Sequence, residues 1–223
     1  MRLKPILFNT EMVRAILDGR KTVTRRIANI NTEITCNDNT YNHEFEQYNF
    51  APDPDEPTGF VCRKCGFGVA PPHSRVPCGT SLFRPCYWPG DILYVRETWG
   101  RTADLPGISE EATVYAADFS DKELAHLKDR HFRWRPSIHM PKDVTRLFLK
   151  VKSVRAERLR DMVLADVLME GITEEDSYEE TWDKWHNLWD STIPKADLDT
   201  YGWKANPWVW VIQFEVCEKP EGT

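Results

Sequence analysis

Residues Asp18 to Ile27 read DGRKTVTRRI, placing four cations (Arg20, Lys21, Arg25 and Arg26) within seven positions, with Thr22 and Thr24 between them. Two chemistries fit that pattern. Cations beside hydroxyls can hold a polyanion or a nucleobase, with arginine forks reading phosphate or ribose oxygens. The same cations on an edge strand can instead discourage pairing with another sheet. A second cluster lies in VRETW, where Arg96, Glu97 and Trp99 follow the apolar run Ile92 to Val95. Alternation puts Tyr94 and Arg96 on one face and Val95 and Glu97 on the other. A charge on an inner face needs a partner. One member of this pair is therefore expected to face Lys21 or Arg26 across a cleft, or else to form a structural salt bridge. A third cluster, RWRPSIHMP, sets Trp134, Arg135, Ser137 and His139 on a loop stiffened by prolines. Aromatic, guanidinium and hydroxyl groups together can stack on and hydrogen-bond an unpaired base.

The cysteines suggest different chemistry. FVCRKCGFG carries a C-x-x-C-G knuckle, Cys62 and Cys65, which resembles half of a rubredoxin-like or zinc-ribbon site aiming two thiolates at one ion. Cys78 and Cys86 are the candidates to complete the set, with Cys36 and His73 as rivals for the fourth place. Four such ligands would make a closed, structural Zn²⁺ site that holds a core-poor segment together. Ordinary free thiols are the alternative. Cys217 is expected to be a small buried hydrophobe.

The bulk composition narrows the partners. The chain has 223 residues, 41% of them hydrophobic and 12% aromatic, with a formal net charge of -6. That suits one domain spanning 1–223. An acidic protein can carry only a local basic patch, so tight general binding to duplex DNA is not expected. RNA or a nucleoside is the better match. No apolar run approaches a membrane span and the first residues do not read as a signal peptide, so a cytoplasmic protein with reduced cysteines and no membrane partner is expected.

The elements that must position these groups follow from patterning. Thr10 to Leu17 reads as a short amphipathic helix, capped by Asn9 or Thr10 and stopped at Gly19. TVTRRI then reads as a strand. Residues 28–89 are polar and Pro-broken, and read as an irregular insertion within the domain. DILYVRETW is a strand with ATVYAAD as its expected partner, and TRLFLKVKSVRAERL is a long strand or a bent pair. RDMVLADVLMEGI is a helix that Gly171 can end. Glu174 to Asp190 is a second helix whose Trp182, Trp185 and Trp189 read as core at 3–4 spacing. NPWVWVIQFEV closes the domain as a strand. The sum is an α+β fold, a small closed or half-closed barrel of about five to six strands with flanking helices.

The helix, Gly19, RKTVTRR and the later PGDILYVRE together resemble the ASCH-domain family, whose fold is similar to the PUA barrel. Its G-x-K-x-x-T/E-x-R signature reads here Gly19-Arg20-Lys21-Thr22-Val23-Thr24-Arg25-Arg26. RETW and RPSIHMP add a likeness to bacterial and phage members, and the resemblance covers residues 1–27 and roughly 86–216. It implies RNA or nucleoside binding in a cationic cleft. For some compact members it implies hydrolysis of N4-acetylcytidine without a metal. By motif, Lys21 and Thr24 would then act with a glutamate on a later helix, for which Glu170 is the match. Arg20, Arg25, Arg26, Arg96, Glu97, Trp99, Arg135, Ser137 and His139 would contact substrate. Lysine serves as a base only if burial or nearby cations depress its pKa. Lys21 and Thr24 have an odd offset, so they share a site only if Lys21 still belongs to the turn after Gly19. A non-catalytic phage accessory protein is the third reading.

Overall fold

The chain alternates strands and short helices in an order that brings its two ends into one sheet. The computed structural model describes residues 2–28, 86–104, 112–174 and 177–220, with the backbone alone of five short strands between residues 33 and 69. Strand β1 (Leu3–Leu7) leads into helix α1 (Thr10–Leu17) and strand β2 (Val23–Ile27). The insertion contributes β3 (Glu33–Cys36), β4 (Asn39–Asn42), β5 (Phe45–Tyr48), β6 (Gly59–Cys62) and β7 (Gly68–Val69). These form a hairpin and a small three-stranded sheet, and none exceeds four residues. The chain continues through β8 (Ile92–Arg96), β9 (Trp99–Arg101), β10 (Thr113–Tyr115) and α2 (Asp121–Asp129). It closes with β11 (Phe148–Arg158), α3 (Leu164–Met169), α4 (Tyr178–Ser191), α5 (Leu198–Tyr201) and β12 (Trp208–Cys217).

The main sheet has the order β1-β8-β11-β12-β2. Strands β1 and β8 run parallel from Leu3↔Ile92 to Leu7↔Arg96, and the other pairs are antiparallel. Pro5 has no N–H to give a ladder, which suits a strand at the edge. Strand β11 is one long strand with a register shift between Val151 and Ser153, so the expected bend is a bulge within it.

The core lies under this sheet. Helix α1 buries Met12, Val13, Ala15 and Ile16, and Val95, Leu149, Val209 and Val211 are fully enclosed. Trp185 and Trp189 of α4 join the same cluster, with Trp182 partly buried at its margin, as their spacing predicts. Burying a side chain of this size contributes about 1.5–3 kcal/mol.

Three expectations change. The sheet is open rather than a closed barrel, with β1 and β2 as its free edges. Helix α1 is the connection between those edges, and Arg26 of β2 donates from Nη2 to the Leu7 carbonyl of β1 at 2.8 Å. ATVYAAD does not pair with β8. Thr113–Tyr115 pairs with β9, because DILYVRETW breaks into two strands around Glu97 and Thr98. Cys217 is half-buried rather than buried, and that partial burial pushes its thiol pKa up.

Candidate functional site

Lys21 is where the local folding and the chemistry meet. Asn9 caps α1 by accepting from the Met12 N–H at 2.8 Å, and Gly19 turns the chain at φ +73°. The N–H groups of Arg20 and Lys21 both return to the Ala15 carbonyl at 2.9 Å. Strand β2 begins only at Val23. Lys21 therefore belongs to the turn, and the odd offset that would separate it from Thr24 on one strand does not apply. Lys21 is 3% exposed and Thr24 4%.

Glu170 reaches the same point from the other end of the chain. It caps the C-terminus of α3 and forms an isolated antiparallel bridge with Lys21. Thr22 N–H donates to the Met169 carbonyl at 2.9 Å beside it. Lys21 Nζ lies 2.6 Å from Glu170 Oε2 and 2.8 Å from the Glu170 carbonyl oxygen. Gly171 makes this approach possible. A Cβ there would lie 2.7 Å from Ala15 Cβ and 2.9 Å from Lys21 Cβ, and its φ is +91°. Only glycine satisfies both conditions without strain.

Arg25 fixes the carboxylate from behind. Its side chain is completely buried and donates to Glu157 Oε1 at 3.0 and 2.7 Å and to Glu170 Oε1 at 3.2 Å, with Asp166 3.4 Å away. Burial opposes its charge, but Glu170, Glu157 and Asp166 more than compensate and hold its pKa up. Lys21 has the opposite balance. Burial lowers its pKa and, despite the attraction of Glu170, that effect prevails, aided by Arg26 and Arg25. Burial also lowers the pKa of Arg26, whose guanidinium carbon sits 5.3 Å from the Phe8 ring centre; Lys21 Nζ is 5.7 Å from the same ring. Both distances are within cation–π range.

These groups line one pocket of about 150 Å³. Lys21, Thr24, Arg25, Arg26 and Glu170 form its polar side. Its apolar lining is Leu7, Phe8, Met12, Trp185, Leu188 and Trp189, and Asn9 and Thr192 also line it. A cavity of that volume is known to accept a single benzene ring, so it suits one base-sized ring.

Of the residues singled out in the sequence, Lys21, Thr24, Glu170, Arg25 and Arg26 come together here. Arg25 is engaged by Glu157 and Glu170 while it lines the pocket. Arg20 is turned to the Gly171 carbonyl at 2.8 Å and to Asp18 at 2.9 Å. Glu97 does not cross to Lys21. It forms the structural salt bridge instead, with Arg146 at 2.9 and 3.1 Å. Arg96 donates to the Met140 carbonyl at 2.8 Å and to the Ile138 carbonyl, anchoring the proline-bounded loop. Arg135 lies 4.9 Å over the Trp99 ring. Trp134 packs edge-on against Phe132 and Phe119. None of Arg96, Glu97, Trp99, Arg135, Ser137 or His139 lines the pocket. What the sequence reading lacks is the apolar wall. Trp185 and Trp189 carry a core signature, and nothing in their spacing tells a core face from a pocket wall.

Among the proposed metal ligands, Cys65 and Cys78, with the rival His73, lie outside the described residues. Cys62 and Cys36 are described as backbone in β6 and β3. Cys86 is exposed, and no group of three or more potential ligands occurs among the described residues. No helix there is long and apolar enough to cross a membrane. Comparison of the chain with family models, with curated proteins and with solved structures finds no match in any of the three.

Proposed function

We propose that the chain is an ASCH-type protein, related to the PUA barrel despite its open sheet, whose pocket takes a modified cytidine and hydrolyses its N4-acyl amide. The observation that carries this reading is the convergence of a buried Lys21–Glu170 pair and Thr24 on one ring-sized pocket. Amide hydrolysis needs a nucleophile, a base and an acid for the leaving nitrogen. Thr24 Oγ1 attacks the acyl carbon while its proton passes to the Lys21 amine. The resulting ammonium protonates the leaving N4, the C–N bond breaks, and cytidine departs from an acyl-threonine ester. Water, deprotonated by Lys21 in turn, cleaves that ester and releases the carboxylic acid. Glu170 aims Lys21 and steadies its charged form between the steps, and Arg25 aims Glu170. Burial, which depresses the lysine pKa, favours the amine that the first step requires.

Binding of RNA or a modified nucleoside without turnover is the second reading. It is favoured by the closure of the Lys21–Glu170 pair at 2.6 Å and by Arg26 and Phe8 on the pocket wall. A structural zinc in the insertion and a cytoplasmic location belong to the same proposal. The deciding experiment follows cytidine release from N4-acetylcytidine by the wild type and by Lys21→Ala. Turnover present in the first and lost in the second supports hydrolysis. Saturable binding without product in either supports the reader of modified bases, and neither binding nor turnover defeats both.

A further inference from the structure

Arg25 offers one guanidinium to two carboxylates, and the division is unequal. Its Nε and Nη2 both donate to Glu157 Oε1, at 3.0 and 2.7 Å, while Nη1 reaches Glu170 Oε1 at 3.2 Å. The fork of donors is rigid, so the edge that binds Glu157 fixes where the remaining nitrogen points. The sheet explains how so distant a pair meets. Arg25 of β2 and Arg155 of β11 both pair with Val211 of β12, and Glu157 lies two positions along β11 from Arg155. All four positions therefore share one face of the sheet. The Arg25 side chain, fully buried, spans β12 to reach Glu157.

A clamp between strands would need no more than Arg25 and Glu157. The charge count indicates a further role. Glu157 Oε2 accepts from Arg155 Nε at 3.1 Å, and Asp166 Oδ1 lies 3.4 Å from Arg25 and 3.8 Å from Arg155. Two guanidiniums thus face three carboxylates, Glu157, Asp166 and Glu170. The negative charge left over meets Lys21, whose Nζ is 2.6 Å from Glu170. Arg26, the other cation acting on Lys21, donates to the Leu7 carbonyl. Without Glu157, Arg25 is free to take Glu170 through two N–H bonds, the arrangement that arginine and carboxylate favour. Glu170 is then drawn off Lys21.

We infer that Glu157 is a positioning residue of the Lys21 site, a role that rests on the hydrolysis proposed above. By holding Nε and Nη2 of Arg25, it leaves Glu170 a single bond to that guanidinium and keeps the Glu170 carboxylate on Lys21. Glu157 is absent from the pocket lining and acts through Arg25 and Glu170.

Glu157→Gln keeps the shape and an acceptor but loses the charge. With N4-acetylcytidine it is expected to lower kcat about tenfold and to keep KM within about twofold. The acid limb of the rate moves to lower pH, since Lys21 then holds its proton less firmly. Glu157→Asp returns the charge and with it the limb. A merely structural role would lower stability and leave the limb in place. A second readout needs no turnover. In protein labelled with ¹³C at lysine, the signal missing from Lys21→Met should titrate at lower pH in Glu157→Gln than in wild type. A Lys21 signal unmoved by Glu157→Gln overturns the inference, and leaves the hydrolase intact where the wild type turns over. A moved signal without wild-type turnover supports the positioning role and overturns hydrolysis, and a static signal without turnover overturns both. Should Glu157→Gln fail to fold, Arg155→Gln, at a side chain 36% exposed, takes the cation from the other oxygen of Glu157. It is expected to move the Lys21 signal the opposite way, to higher pH, and a static signal there overturns the inference.

Discussion

Among the described residues Glu97, Glu157 and Glu170 are buried against cations, and the sites of Glu170 and Glu97 are built differently. Glu170 faces Lys21 with both side chains about 97% buried, on the wall of a pocket. Glu97, 1% exposed, takes a bidentate grip from Arg146, which is itself 28% exposed, bonds Asp118 at 2.8 Å and lies 4.0 Å over the Tyr115 ring. Arginine stays charged in proteins, so the Glu97 cluster is a fixed clamp joining β8 to the segment ahead of β11. Lysine changes charge readily when buried. Burial lowers the Lys21 pKa, and Lys21 and Glu170 line the pocket, which Glu97 does not. Two ion pairs of similar length thus differ in the property on which the proposed hydrolysis depends.

The largest effect should separate them by activity rather than stability. Lys21→Ala leaves a buried carboxylate without its nearest cation and costs about 3 kcal/mol. Arg146→Ala does the same to Glu97 and, at a partly exposed site, costs about 2 kcal/mol. Turnover of N4-acetylcytidine is expected to fall about 10³-fold in the first and to stay within about twofold in the second. Urea midpoints and initial rates on the same preparations measure both. Equal losses of rate in the two variants would collapse the contrast.

A smaller effect tests how the pair is brought together. Gly171 and Gly90 both have positive φ, +91° and +84°, but only Gly171 has neighbours where a Cβ would go. Gly90→Ala costs about 1 kcal/mol, the left-handed strain alone. Gly171→Ala adds overpacking against Ala15 and Lys21, for about 2–4 kcal/mol in all. It also shifts Glu170 relative to Lys21, with a rate loss of about tenfold to a hundredfold. A Gly171→Ala protein as active as Gly90→Ala would mean that the bridge at Glu170 does not set the reactive geometry.

Proton linkage sharpens the comparison further, because the two clusters have opposite signs. Burial lowers the pKa of Lys21 below its usual 10.5, against the pull of Glu170. Between that lowered value and 10.5 the unfolded chain holds more protons, so the Lys21 contribution to stability rises with pH in this window. Burial raises the pKa of Glu97 above its usual 4.5, against the hydrogen bond from Arg146. Between 4.5 and that raised value the native state holds more protons, and stability from Glu97 is lost as pH rises. Unfolding midpoints across pH for wild type, Lys21→Met and Glu97→Gln should show each slope vanish in its own variant. The rate should climb with pH through the Lys21 pKa. Glu170→Gln removes the main influence raising that pKa and so moves the acid limb to lower pH. An acid limb that stays where it was would remove Lys21 as the titrating base.

Much of this was legible in the chain, for reasons that particular residues make plain. Helix α1 could be read because Asn9, the apolar face and Gly19 are local signals with local causes. Gly19 allowed the turn position of Lys21 without requiring it, and the return of the Lys21 N–H to the Ala15 carbonyl decides it. Alternation found four of the five strands of the main sheet and placed ATVYAAD in it wrongly; the open sheet was not legible, since closure depends on how far the edges β1 and β2 stand apart. β1 carried no signal because Pro5 interrupts it, and α2 went unread because it buries nothing. The partner of Glu97 was left as two alternatives because Arg146 stands 49 positions away. Trp185 and Trp189 read as core and are core. Their second role as a wall depends on the empty volume beside them, which no spacing encodes.

The smallest effect concerns the insertion. If the insertion holds Zn²⁺ through Cys62, Cys65, Cys78 and Cys86, the metal organises residues 28–89 and takes no part in the amide chemistry proposed for the Lys21 pair and Thr24. Elemental analysis should find about one zinc per chain, and Cys62→Ser should remove most of it. Initial rates on N4-acetylcytidine should change by less than about twofold in that variant. Zinc content near zero in the wild type would sink the ligand assignment, since thiolate sites of this kind hold the metal through purification. A large loss of rate in Cys62→Ser would tie the insertion to the pocket, and the contrast between a fixed clamp and a titrating pair would then need the insertion as a third participant.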